Sequence, residues 1–120
     1  MSGLAVEIVP NSNATIVTVQ GAADVSGSAE LDRKLTMLSA QRPRMVIFDL
    51  SRMSFISSLC MGSLIQFGHG MIKRGSKVAV AAAQPTVAEA LKRIRLEAIL
   101  PMYASVEDAV AASQAAAPNC

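Results

Sequence analysis

The sequence predicts an α/β protein, a mixed sheet of four to five strands with about four α-helices packed on it. Three observations carry this reading. After an opening pair of strand-like runs, β-branched segments alternate with stretches of helical apolar spacing. Two of the later strand runs are continuously apolar, as expected of strands buried on both faces of a parallel sheet. The 120 residues are 52% hydrophobic and 17% charged, which excludes a disordered chain and suits one domain with one core.

The elements follow in order. Leu4 to Val9 and Thr15 to Gln20 are β-branched and partly alternating, and Pro10-Asn-Ser-Asn13 between them is a turn by composition. They read as a hairpin whose second strand ends at Gly21. Ser28 to Ser39 reads as a helix, with Leu31, Leu35 and Leu38 as its apolar stripe, Ser26 or Ser28 as its cap and Pro43 barring its continuation. Met45 to Leu50 is a buried strand. A Leu50–Ser54 turn and the Ser57-Ser58 pair then lead into a helix from Ser58 to Arg74. Met61, Leu64, Ile65, Gly68 and Ile72 form its expected inward face. Lys73 and Arg74 suit the dipole in its last turn, and Gly75 suits C′. Lys77 to Ala81 is another buried strand. Thr86-Val-Ala-Glu89 reads as a capping box opening a helix with Val87, Leu91 and Ile94 inward. Leu100, Met102 and Tyr103 mark a short strand or extended segment. Ser105-Val-Glu-Asp108 opens a final helix with acids in its first turn. One domain is expected over residues 1–114, with 115–120 a frayed tail.

Composition narrows the function. Aromatic residues are only 3% and Trp is absent, which argues against reading single-stranded nucleic acid by base stacking. The net charge is +2, and no Lys/Arg run is dense enough to track a phosphate backbone, so no nucleic-acid partner is expected. Cys60 and Cys120 make neither a disulfide framework nor a metal site and fit a reducing cytoplasm. The residues Met1 to Val9 carry no basic n-region, so no signal peptide is expected, and no apolar stretch is long enough to span a membrane.

No constellation for catalysis is visible. His69 is the single histidine, and no second ligand lies at metal spacing. It stands 11 positions beyond Ser58 on the same expected helix. At 1.5 Å per residue that is about 16 Å, too far to serve as that serine's base. His69 reads as a partly exposed helix residue. Asp24 and Asp49 stand at the C-terminal ends of expected strands, the edge where open α/β sheets place their sites. Each also reads simply as a cap of a turn. Gly68-His-Gly70 lacks the context of a phosphate loop and reads as small residues for close packing. No cofactor, no metal and no enzymatic activity are expected.

Ser57-Ser58 is the most informative local feature. One reading is an N-cap, worth about 1 kcal/mol. The other is a switch: a phosphate there would meet unpaired helix N–H groups and the positive end of the dipole. The fold would tolerate it, while the surface would gain nearly two negative charges.

At these residues the chain resembles the STAS domains, the bacterial anti-sigma-factor antagonists and the cytoplasmic domains of sulfate transporters. Asp49-Leu-Ser-Arg-Met-Ser-Phe-Ile-Ser-Ser58, followed by Met61-Gly62, resembles the family's strand ending in Asp-Leu-Ser and its Asp-Ser-(Ser/Ala)-Gly-Leu-Gly helix start. Gly21-Ala-Ala-Asp24 with Ala29, Ala83 to Leu91, and Leu96 to Ala109 resemble further family elements, so the likeness spans about residues 4 to 113. It implies a STAS fold and an antagonist that acts by partner switching. The unmodified protein would bind an anti-sigma factor with an ATPase-type serine kinase fold. Phosphorylation of Ser58 would release it, and a phosphatase would reset it. The partner surface implied is Asp24, Ser26, Ser57, Ser58, Leu59, Met61 and Gly62, on a cytoplasmic protein that is a monomer when free. The chain departs from the pattern where the family Asp is Ser57 and the Ser/Ala-Gly pair is Leu59-Cys60. The helix start loses a negative charge and gains bulk, and Ser57 becomes a rival acceptor. The altered start also fits a different reading, a STAS module that binds constitutively. Examples are a cytoplasmic subunit of a lipid-transport ABC system or a part of a sensory complex.

Overall fold

The computed structural model describes residues 4–11 and 14–116. Its strands are β1 (Ala5–Asn11), β2 (Ala14–Ala23), β3 (Met45–Asp49), β4 (Met53–Ile56), β5 (Lys77–Ala81) and β6 (Met102–Tyr103). Its α-helices are α1 (Ser28–Ala40), α2 (Ser58–Lys73), α3 (Pro85–Arg93) and α4 (Val106–Ala116). Of the tail expected at 115–120, Ala115 and Ala116 instead form the last residues of α4, where the helix continues, and 117–120 lie outside the described residues.

The sheet order is β1-β2-β3-β5-β6, with β4 also paired to β2. Only β1 and β2 are antiparallel; β3, β4, β5 and β6 join in parallel. β3 is buried on both faces. Val46 and Phe48 enter the larger core with α1, α2 and α3, while Met45 and Ile47 meet Ala109, Val106 and Val110 of α4. Three helices thus cover one face of the sheet and one covers the other, as parallel crossovers require.

The sheet has six strands rather than four or five. The extra one is β4, within the stretch expected to turn at Leu50–Ser54. Only Leu50 to Arg52 turn, and Met53 then pairs with Gly21. β2 does not stop at Gly21 either. Gly21 takes φ 100°, a conformation that favours glycine, and marks a register shift beyond which Ala22 and Ala23 pair with Phe55 and Ile56. β2 therefore pairs with β3 along its first half and with β4 along its last three residues. This extension carries the chain to the start of α2.

Three helix details differ from expectation. The N-cap of α1 is Gly27, not Ser26 or Ser28. The buried face of α2 is Cys60, Leu64, Phe67, Gly68 and Met71, with Ile72 exposed. That is a one-residue rotation from the expected stripe, because apolar residues flank both candidate faces, Met61, Ile65 and Ile72 on one and Cys60, Phe67 and Met71 on the other, and periodicity alone does not choose between them. Finally, α3 starts at Pro85 with Gln84 as N-cap, so Thr86 makes no capping box. Proline at N1 sets the helical φ one residue earlier. Val87 and Leu91 point inward as expected, whereas Ile94 is the exposed C-cap residue.

The glycines of α2 separate by function. A Cβ on Gly68 would stand 2.5 Å from Leu100 Cδ2, so Gly68 lets α2 approach the segment before β6. A Cβ on Gly70 would meet nothing within 4 Å, so this glycine is not there for packing. Gly70→Ala is expected to stabilise the protein by about 0.5–1 kcal/mol through helix propensity. Gly68→Ala is expected to destabilise it by about 1 kcal/mol or more, because buried Leu100 must shift. Urea unfolding of the two variants checks both signs.

Candidate functional site

The site is built where the C-terminal end of β2 meets the start of α2. The Ser57 backbone N–H donates to the Ala23 carbonyl at 2.7 Å, and the Cys60 thiol reaches the Asp24 carbonyl at 3.5 Å. Two segments more than thirty residues apart in sequence are thereby joined. Gln84 Nε2 donates to the Ser51 carbonyl at 2.8 Å, which ties the β5–α3 connection to the same edge.

The two serines have different environments. Ser57 is the N-cap residue: its backbone is extended (φ −80°, ψ 161°), and its hydroxyl accepts the Cys60 N–H at 3.2 Å. It is only 9% exposed. Ser58 is the first helical residue and is exposed. Gly62 lies one helical turn further on the same face, where a Cβ would meet nothing, so the surface beside Ser58 is open. The first turn of α2 carries no acid, and an anion added there would meet no carboxylate on its own turn. Ser57→Ala is expected to cost about 1 kcal/mol, the worth of the lost cap, measured by thermal or urea unfolding.

Asp24 closes the turn into α1. Its Oδ1 accepts the Ser26 hydroxyl at 2.7 Å and the Gly27 N–H at 3.1 Å. The Ser26 hydroxyl above all, helped by the backbone N–H, holds this carboxyl below its ordinary value. The turn is therefore stabilised while Asp24 is charged and loses that support as the pH falls through its lowered pKa. Asp49 caps its own turn, with Oδ1 accepting the Ser51 N–H at 3.0 Å.

Of the residues singled out from the sequence, Asp24, Ser26, Ser57 and Ser58 sit at this junction. Leu59 is 51% exposed, while Met61 and Gly62 are half-buried. Phe55, a further residue at this edge, is 52% exposed on β4 and paired with Ala22. Without β4, nothing in the sequence told an outward Phe55 from a core residue. Nor did it indicate that Cys60 faces inward to hold the Asp24 backbone. His69 is exposed on α2, about three turns from Ser58 along the same helix.

The arrangement sets the capped start of α2 beside the paired ends of β2 and β4, with Ser58, Leu59 and Phe55 exposed around it. The family model of the STAS domain matches residues 5–109, and the protein belongs to the STAS domain family. Among solved structures, the fold is similar to an anti-sigma factor antagonist from Mycobacterium paratuberculosis. The TM-score is 0.85 at 21% identity, covering 91% of this chain and 92% of that one. The phosphorylated form of the Bacillus cell fate determinant SpoIIAA gives 0.71 at 16% identity, covering 91% and 99%. The STAS domain of a SulP transporter from Vibrio cholerae gives 0.68 at 22% identity, covering 89% and 84%. These likenesses establish a shared fold. No helix among the described residues is long and apolar enough to cross a membrane.

Proposed function

We propose that this protein is an anti-sigma-factor antagonist that acts by partner switching, with Ser58 as the phosphorylated residue. The observation that carries the reading is the division of labour between the two serines. Ser57 is buried as the cap, and Ser58 is exposed beside an open helix face. A phosphate on Ser58 would sit at the positive end of the α2 dipole without displacing a cap, so the fold would survive and the surface charge would change. Its partner is an anti-sigma factor with an ATPase-type serine kinase fold, and a phosphatase resets the cycle. The protein works as a non-enzymatic regulator of transcription in the cytoplasm, as a monomer when free. Asp24, Ser26, Ser58, Leu59, Met61 and Gly62 form the contact surface, with Phe55 added from the strand beside it. A SpoIIAA structure bearing the phosphorylated form supports the reading by analogy of fold.

A second reading has its own observation. Phe55 and Leu59 are both about half exposed, and apolar side chains of that size suit a permanent interface. The protein would then be a constitutive STAS subunit, for instance of a lipid-transport ABC system or a sensory complex. Pull-downs from the native lysate with wild-type and Ser58→Asp baits separate the two. A kinase-fold protein held by the wild type and lost by the variant supports the switch. The same transporter or scaffold subunits on both baits support the constitutive module.

A further inference from the structure

The end of the molecule opposite Ser58 concentrates positive charge. The 16 residues of α2 place Lys73 about 22 Å from Ser58 along the helix axis. There the loop after α1 and the loop after α2 lie side by side. The Lys77 N–H donates to the Arg44 carbonyl at 2.9 Å, and the Ser76 hydroxyl donates to the Pro43 carbonyl at 2.8 Å. Arg74 Nη1 donates to the Ser39 carbonyl at 3.2 Å and pins the end of α2 to the end of α1. Arg42, Arg44, Lys73, Arg74 and Lys77 are thus gathered from two short runs, and all five are exposed.

None of the five is in an ion pair. Among the described residues the ion pairs are Arg33–Glu30 and Arg93–Glu89. The remainder of the chain has six cations against nine anions, a net −3, so the +2 total conceals this local group of five cations. The helix dipole accounts for Lys73 and Arg74 near the C-terminus of α2. It does not account for Arg44 and Lys77, which stand at the beginnings of strands.

The same end exposes apolar surface. Ile72 is 42% exposed next to Lys73. With Met45, Lys77, Val78, Pro101 and Tyr103 it lines a mainly apolar groove of about 320 Å³. β6 pairs only with Val80 and Ala81, so the Lys77–Ala79 part of β5 has no strand partner on that side, next to this groove.

We propose that this end is a docking surface for a membrane rich in anionic phospholipid. The five cations lie over the headgroups, and Ile72 enters the interface between them. Cations around an exposed aliphatic side chain match a charged surface with an apolar interior. A nucleic acid offers no partner for Ile72, and a purely acidic protein offers none for the groove. Docked this way, the Ser58 end faces away from the membrane and stays free for its partner. The proposal does not depend on Ser58 being a switch.

The test is flotation of the full chain with two kinds of vesicle, phosphatidylcholine alone and phosphatidylcholine with about one-third phosphatidylglycerol. The protein is expected to float only with the anionic vesicles and to be released by high salt. Arg44→Glu/Lys73→Glu/Lys77→Glu, which spares the Arg74 bond to Ser39, is expected to lower partitioning on the order of a hundredfold or more. Ile72→Ser is expected to weaken binding at unchanged charge, and Ser58→Asp to leave it unchanged. Matched thermal midpoints of the variants keep loss of binding distinct from loss of fold, and the salt titration tests the wild type without any variant. Failure to float, equal flotation with both vesicles, or capture by soluble poly-glutamate in place of vesicles would overturn the proposal.

Discussion

Phe48→Ala is expected to destabilise the protein by about 3–5 kcal/mol, the largest loss that one side-chain truncation should produce in this fold. Phe48 is fully buried in β3, the strand between β2 and β5, and heads the fully buried side chains by volume. Its ring meets Phe67 of α2 edge to face, with centroids 5.6 Å apart and planes at 81°. The chain has only three phenylalanines, and Phe55 is exposed, so this pair is the one aromatic contact among the described core residues. Truncation removes the apolar burial, the ring pairing and the packing of a filled volume together. A domain of this size has about 5–15 kcal/mol in total, so the variant would be close to unfolded at ordinary temperature. Because Phe67 belongs to α2, partner binding should fall with stability. Urea unfolding monitored by far-UV circular dichroism measures the loss. A change below about 1 kcal/mol would mean that the Phe48–Phe67 contact does not anchor α2.

Ser58→Asp should do the reverse: lower partner affinity by at least about tenfold while stability stays level or rises slightly. An acid at the first helical position of α2 faces the positive end of its dipole, a favourable term of about 0.3–1 kcal/mol. The wild-type first turn has no acid of its own to repel it. The hydroxyl that caps the helix belongs to Ser57 and is untouched. At the surface, however, the added charge lies next to half-exposed Leu59 and on the same end as Asp24, where a partner must dry the contact. An uncompensated charge in such a contact weakens binding by more than a tenfold step of about 1.4 kcal/mol. Opposite movements of affinity and stability exclude unfolding as the cause. Titration calorimetry with the captured partner and a thermal melt, on the same preparation, read both.

The order of elements was legible because each long segment shows one period. Leu31, Leu35 and Leu38 define α1, and the apolar runs of β3 and β5 mark strands buried on both faces. The last helix opens after Ser105 with Glu107 and Asp108 in its first turn, as expected, and the Ser105 hydroxyl accepts the Asp108 N–H at 3.0 Å. β4 was not legible. Its four residues are buried only at their two ends, which matches neither alternation nor a continuous run. It is a strand because β2 continues past a glycine bulge to pair with it, a tertiary cause. The face of α2 was misread for a related reason: Met61, Ile65 and Ile72 are as apolar as Phe67 and Met71. The direction of the helix is set by the Ser57 cap and the Cys60 contact with the Asp24 carbonyl. At the site itself, the serine pair was visible in sequence. Which serine caps and which faces outward was not, since both residue types suit either position.

The central claim is that Ser58, and not its capping neighbour, is the modified residue. The most direct measurement is peptide mapping by mass spectrometry after incubating the protein with its captured partner and ATP. The account predicts one phosphate, on Ser58, and release of the partner as it accumulates. A phosphate on Ser57, or no phosphate while the partner stays bound, would contradict it.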